Sequence, residues 1–183
     1  QELQLPHLEQ ARLIMAWVAP GVDDDPLQNA YGLDLISVLL AESQSARLVQ
    51  ELREDRQLVQ AIGSSFSMQR ESSLFTITAW LEPENLERVE ALICDRLSAL
   101  TTTLVSEVEL ARSKRLLRND YAFSTETPGQ LAGLYGYYHT VANAEVSVTY
   151  PHRIQAFSAD DLRDLASQYL SPYHYAAIVM KPL

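Results

Sequence analysis

Along this chain the spacing of apolar residues shifts from a period of two to a period near four and back, and each shift marks an element. Arg12 to Val18 is a short apolar run that stops at Pro20-Gly21 and predicts a strand, while residues 1 to 10 are polar and irregular. From Leu27 to Glu42 the positions Leu27, Tyr31, Leu35, Val38 and Leu39 follow helical spacing, and Ser45 opens a second short helix through Leu48 and Leu52. Alternation then returns twice. Ile62, Phe66 and Met68 make one strand, Phe75, Ile77, Ala79 and Leu81 a second, and the short polar stretch Gln69 to Ser73 between them predicts an antiparallel hairpin.

Helical spacing resumes after Pro83, whose flanking Glu82, Glu84 and Glu87 suit the positive end of a helix with Leu86, Val89, Ile93, Leu97 and Leu100 on one face. Ser106-Glu107-Val108-Glu109 is a capping-box pattern ahead of Leu110, Leu117 and Tyr121. Pro128 starts a further helix with Leu131, Leu134, Tyr135 and Tyr138 as its packing face. Ser158-Ala159-Asp160-Asp161 caps the next, which ends before Pro172. Tyr175 to Met180 is apolar throughout and predicts a strand covered on both faces, inside the sheet. Asp23, Asp24 and Asp25 ahead of Pro26 read as helix-capping acids before they read as metal ligands. Strands and helices do not alternate regularly, so the fold class is α+β, with helices packed on a mainly antiparallel sheet. No long linker, repeat or low-complexity segment divides the chain, and a single domain over residues 1–183 is expected.

Composition narrows the function more than the fold. With 47% hydrophobic and 21% charged residues the 183-residue chain sits with globular proteins. Its formal charge of −10 opposes a phosphate backbone, so a nucleic-acid role is disfavoured. No apolar run approaches the roughly 18 residues of a membrane span, and no membrane partner is expected. Cys94 is the only cysteine and lies on an apolar helix face, where a small core residue is expected rather than a nucleophile. Scarce cysteine and the lack of a visible signal segment point to the cytoplasm. His7, His139, His152 and His174 are far apart, and neither H-x-x-E-H nor H-E-x-x-H occurs, so no zinc site is expected in this chain. Nucleotide-binding glycine loops and G-x-S-x-G are also missing from the sequence.

The stretch Ser45-Ala46-Arg47-Leu48-Val49-Gln50-Glu51-Leu52-Arg53 resembles the Ser-Arg-Leu-aromatic-x-x-Leu-Arg helix of insulinase and mitochondrial-processing-peptidase family domains, with one inserted alanine and valine for the usual aromatic. The resemblance extends through the strand ending at Ala19-Pro20, the paired strands, the acid-rich Glu107 to Lys114 helix start and Tyr169-Leu170-Ser171-Pro172. It implies a LuxS/processing-peptidase-like metallohydrolase fold. Each half of that family's clamshell has this fold, and only the half with H-x-x-E-H carries zinc. This chain therefore resembles the C-terminal, non-catalytic half, downstream of a zinc domain, as its start at Gln1 rather than methionine also suggests. Zinc is then expected in that partner domain, on the same polypeptide or a separate subunit, with a peptide as substrate. Some members place a substrate-facing arginine and tyrosine in a Leu-Arg-x-x-x-x-Leu-Gly-Tyr pattern. The matching residues are Leu52, Arg53, Leu58, Val59 and Gln60, which makes Arg53 and Gln60 the substrate-binding candidates, the first through its guanidinium and the second through its amide. A solvated Arg53 paired with Glu54 or Asp55 is the competing reading. The surface meeting the zinc half should include the segment around Arg53 and the strand beginning near Ile62. The altered Val59-Gln60 pair keeps a second function open, a peptidase-like binding or scaffold subunit with no proteolytic role.

Overall fold

The computed structural model describes residues 1–22 and 27–183. The expected capping by Asp23, Asp24 and Asp25 lies outside the described residues. Five strands form one sheet in the order β1-β5-β2-β4-β3: β1 Glu2–Leu5, β2 Ala11–Pro20, β3 Ala61–Ser67, β4 Ser72–Leu81 and β5 Ala176–Pro182. All neighbours pair antiparallel except β1 and β5, which run parallel. The α+β architecture and the hairpin read from the alternation are both present. Strand β1 corrects the reading of residues 1 to 10 as irregular. Its side chains are all exposed, so there was no buried alternation to read; Gln1 and Glu2 instead join β5 through backbone pairing.

The alternation in β2 is strict. Ala11, Leu13, Met15, Trp17 and Ala19 are buried on one face, and β4 answers with Ser73, Phe75, Ile77, Ala79 and Leu81. The helices cover that face: α1 Leu27–Ala41, α2 Leu86–Thr102, α3 Glu107–Phe123, α4 Pro128–Val141, α5 Ala144–Ala156 and α6 Ala159–Tyr169. Helix α1 lies innermost and is buried on nearly every side, which is why its apolar residues form no one-sided stripe. At Gly32 a Cβ would overlap Leu165 Cδ1 and crowd Phe157, so the approach of α1 to α6 requires glycine there. The buried side chains form one continuous cluster, and the one indole nitrogen within it is satisfied, Trp17 Nε1 donating to the Ser171 carbonyl at 2.8 Å.

Capping boxes at Ser106/Glu109, Thr127/Gln130 and Ser158/Asp161 start α3, α4 and α6. Three local features depart from the sequence pattern. The second short helix is a π-helical segment, Val49–Asp55, closed by Arg56 N–H donating to the Glu51 carbonyl at 3.0 Å. Helix α5 has no counterpart in the reading because Pro151 and its polar residues obscure the buried Val146, Ser147, Tyr150 and Ile154. In α4 the face of Leu131, Leu134 and Tyr138 is only half-buried, and Tyr135 is exposed.

Strand β5 carries the largest correction. It is internal to the sheet by position, between β1 and β2, but it is not covered on both faces: Ala176 and Ile178 are exposed and the rest only half-buried. Its apolar run has a neighbour on each edge and helices on one face alone.

Candidate functional site

The nonapeptide that carries the family resemblance turns out to be largely structural. Arg47 donates from Nε to Glu109 Oε1 at 2.8 Å and from Nη2 to Oε2 at 3.1 Å, while Glu109 also accepts from the Ser106 backbone and hydroxyl as part of the α3 capping box. The hydrogen bond from Arg47, with those from Ser106, holds the Glu109 carboxyl down to about 2. Glu51 accepts both forks of Arg96 from α2 and pairs with Arg56 at 3.0 Å, and the Arg96 contact lowers its pKa. The π-helical segment is thereby clamped to α2 through Glu51, and the turn just before it to α3 through Arg47, by charge-assisted forks, with Leu48, Val49 and Leu52 buried beneath.

Arg53 projects from this clamped segment, half-buried, and donates from Nε and Nη2 to Glu54 Oε1 at 2.9 and 2.7 Å. Gln60 lies beyond a tight passage in which Gln57 takes a left-handed φ of 52°, the only positive φ among the described non-glycine residues. Its backbone N–H donates to the Trp80 carbonyl at 2.8 Å, tying it to the start of β3, and its side chain is exposed. The structure does not bring the two candidates into one cleft. Gln60 lines a surface cleft of about 380 Å³ with Arg12, Trp80, His7 and Glu9, and Arg53 is not among its lining residues. Sequence reasoning missed Arg12 and Trp80. They are 68 residues apart in the chain and become neighbours only through the β2–β4 register, which sets Arg12 opposite Trp80. The arginine at the head of an otherwise apolar strand was the available signal.

A second polar cluster lies inside the helical layer. Asp34 on α1 accepts a hydrogen bond from Tyr150 Oη, and Ser37 donates to the Asp34 carbonyl at 2.8 Å and to Glu42 Oε1 at 3.3 Å. Loss of hydration pushes the Asp34 carboxyl up to about 6 and raises the Tyr150 phenol. Tyr31 and Tyr121 pack on the Tyr150 ring at centroid distances of 5.4 and 6.3 Å. These groups join α1 to α3 and α5.

The residues present do not suit a zinc ion: among the described residues no three His, Cys, Asp or Glu side chains are grouped to hold a metal. His174 Nδ1 shares a hydrogen bond with Ser171 Oγ at 3.2 Å, and Cys94 is partly buried against the core with its thiol pKa raised by burial. Among the described residues no helix is long and apolar enough to cross a membrane.

Comparison with known proteins gives a consistent result. The family model described as the peptidase M16 inactive domain matches residues 1–117. An uncharacterised zinc protease of Rickettsia felis is 27% identical over 179 residues, covering 94% of this chain and 41% of that protein. Among solved structures, a protease from Helicobacter pylori superposes with a TM-score of 0.86 at 21% identity, over 100% of this chain and 43% of that one. A peptidase M16 inactive domain from Pseudomonas fluorescens gives a TM-score of 0.80 at 20% identity, over 100% and 43%. This chain thus spans about two fifths or less of the length of the curated relatives named among its matches.

Proposed function

Because this chain belongs to the M16 peptidase family, as its inactive C-terminal domain, we propose that it closes a peptide-binding chamber opposite a zinc-bearing H-x-x-E-H domain of a metalloendopeptidase. The observation that carries this reading is the open face of the sheet. Val18, Leu74, Ile14, Ile178, Met180, Leu3 and Leu5 share that face through the strand registers, and none of its residues is buried. Val18 is 72% exposed, and Leu74 and Ile178 39% each. Arg12, Thr76, Thr78, Ser65 and Ser67 lie on the same face, and an exposed apolar patch set among polar residues in this way marks a surface for another unit.

In this arrangement the zinc ion and its water-activating carboxylate belong to the partner, and this chain contributes binding surface, a lid and orientation. Arg53 is the proposed donor to peptide carbonyls. Its present acceptor, Glu54, is an exposed neighbour whose pairing is weak enough to be exchanged for substrate. Co-expressing this chain with an H-x-x-E-H domain from the same protein, followed by cleavage of a fluorogenic peptide, tests the reading. Activity from the pair and from neither half alone supports it. Equal activity from the zinc half alone refutes it and leaves the scaffold role.

A further inference from the structure

Across the open face, the pairings place Leu3, Met180, Arg12, Trp80 and Ala61 in one row. Arg12 is the one cation in that row, and its guanidinium carbon lies 5.2 Å from the Trp80 ring centroid. Stacking on an indole fixes the plane of the guanidinium and reduces the side-chain freedom left to lose on binding. The stack also leaves a donor unmatched. Arg12 Nε is sealed from solvent with no hydrogen-bond partner, the only such side-chain atom among the described residues. None of the ion pairs among the described residues involves Arg12. A buried N–H without an acceptor is destabilising, and one that borders a cleft of about 380 Å³ has room to be met by a ligand after a small rotation of the side chain.

We propose that Arg12, held on Trp80 and flanked by Gln60, forms a binding site for the carboxylate of a peptide. A carboxylate presents two coplanar oxygens that match the Nε and Nη donors of an arginine fork. The Gln60 side chain, on the same cleft, offers an amide donor and acceptor to the adjoining peptide group. Charge selects a monoanion over a phosphate dianion: Glu9 lines the same cleft and the whole chain carries −10, so each additional negative charge on the ligand is repelled. Glu9, on the same cleft, repels a bound carboxylate. The proposal rests on the chamber reading for the source of its peptide but not for the binding itself.

The test titrates this chain with three N-acetylated tripeptides: one with a free C-terminal carboxylate, its C-terminal amide, and an amidated version carrying an internal glutamate. Isothermal titration gives affinity, and tryptophan emission reports the change around Trp80 when a carboxylate meets the Arg12 held on it. The free acid, the glutamate peptide or both should bind at least tenfold more tightly than the plain amide, the pattern identifying whether a terminal or side-chain carboxylate is used. The emission change should vanish in Trp80→Phe, and affinity should fall at least tenfold in Arg12→Gln. Arg12→Lys keeps the charge and the stem but loses the fork and the sealed N–H, and should bind weakly while unfolding at no lower temperature than the unmodified chain. Glu9→Gln should tighten binding severalfold. Equal affinity for acid and amide forms, tighter binding of inorganic phosphate than of the carboxylates, or full binding by Arg12→Gln overturns the proposal. Because no cleavage is measured, carboxylate binding alongside failed reconstitution sinks only the chamber reading, and the reverse result sinks only this one.

Discussion

At the scale of single residues, arginines in similar sequence settings have different work to do. Arg47 and Arg96 are forked onto carboxylates of other elements, whereas Arg53 holds only its exposed neighbour Glu54. Arg53→Ala should therefore shift stability by no more than about 0.5 kcal/mol. In the reconstituted enzyme it should lower kcat/KM by about 10- to 1000-fold if Arg53 donates to the substrate, as for other lost oxyanion donors; unchanged kinetics would leave it a surface pair. Asp34 offers a pH test. Its carboxyl is raised from 3.8 to about 6 in the folded chain, so between those values the folded state keeps a proton that the unfolded state has lost. Stability must then fall as pH rises through that window. Asp34→Asn cannot titrate, and its carbonyl can still accept from Tyr150. Thermal unfolding between pH 4 and 6 should consequently be flatter in the variant, and an unaltered slope would show that Asp34 is well hydrated.

At the scale of elements, close approach and capping decide where helices start and how they meet. Gly32→Ala forces a methyl into Leu165 and Phe157 between α1 and α6. It should cost about 1–3 kcal/mol by overpacking, despite alanine's better helix propensity. A neutral or stabilising result in denaturant unfolding would mean that α6 moves away freely. Ser106→Ala removes the α3 cap, worth about 0.5–2 kcal/mol in general. Here the loss should exceed that of Ser158→Ala, because Glu109 ties the first cap to Arg47 while Asp161 serves the other without an ion-pair partner among the described residues. Both caps were legible in the sequence, since a capping box is a local pattern. The π-helical turn was not, because its extra residue per turn is tolerated through buried Leu48, Val49 and Leu52 and the forks on Glu51, all of them tertiary.

At the scale of the whole molecule, the sheet is a two-faced object with helices on one side only. A charge placed on the open face, as in Val18→Asp or Ile178→Asp, should leave the isolated chain's unfolding midpoint within a few degrees of its original value, because neither side chain belongs to the core. The same substitutions should lower cleavage by the co-expressed pair at least tenfold if that face meets the zinc half. Full activity would move the contact elsewhere, to the Arg53 segment and the edge strand β3.

What the sequence determined by itself is what depends on neighbours close in the chain. An apolar run ended by Pro20-Gly21 marked β2, period-two alternation marked β3 and β4, helical spacing and capping marked α2, α3 and α6, and together they pointed to the α+β class. The same local character made the Ser45 to Arg53 motif readable as a family segment. The tertiary structure decided everything that rests on pairing between distant residues. Register brought Arg12 and Trp80 together and put Gln60 beside them without Arg53. The apolar run of β5 did place it inside the sheet, but could not reveal that one face would stay open. Hydrophobicity along a chain records which residues avoid water in the working protein, and a surface reserved for a partner has the same composition as a core. Only the fold shows which apolar residues are already covered and which still await a neighbour.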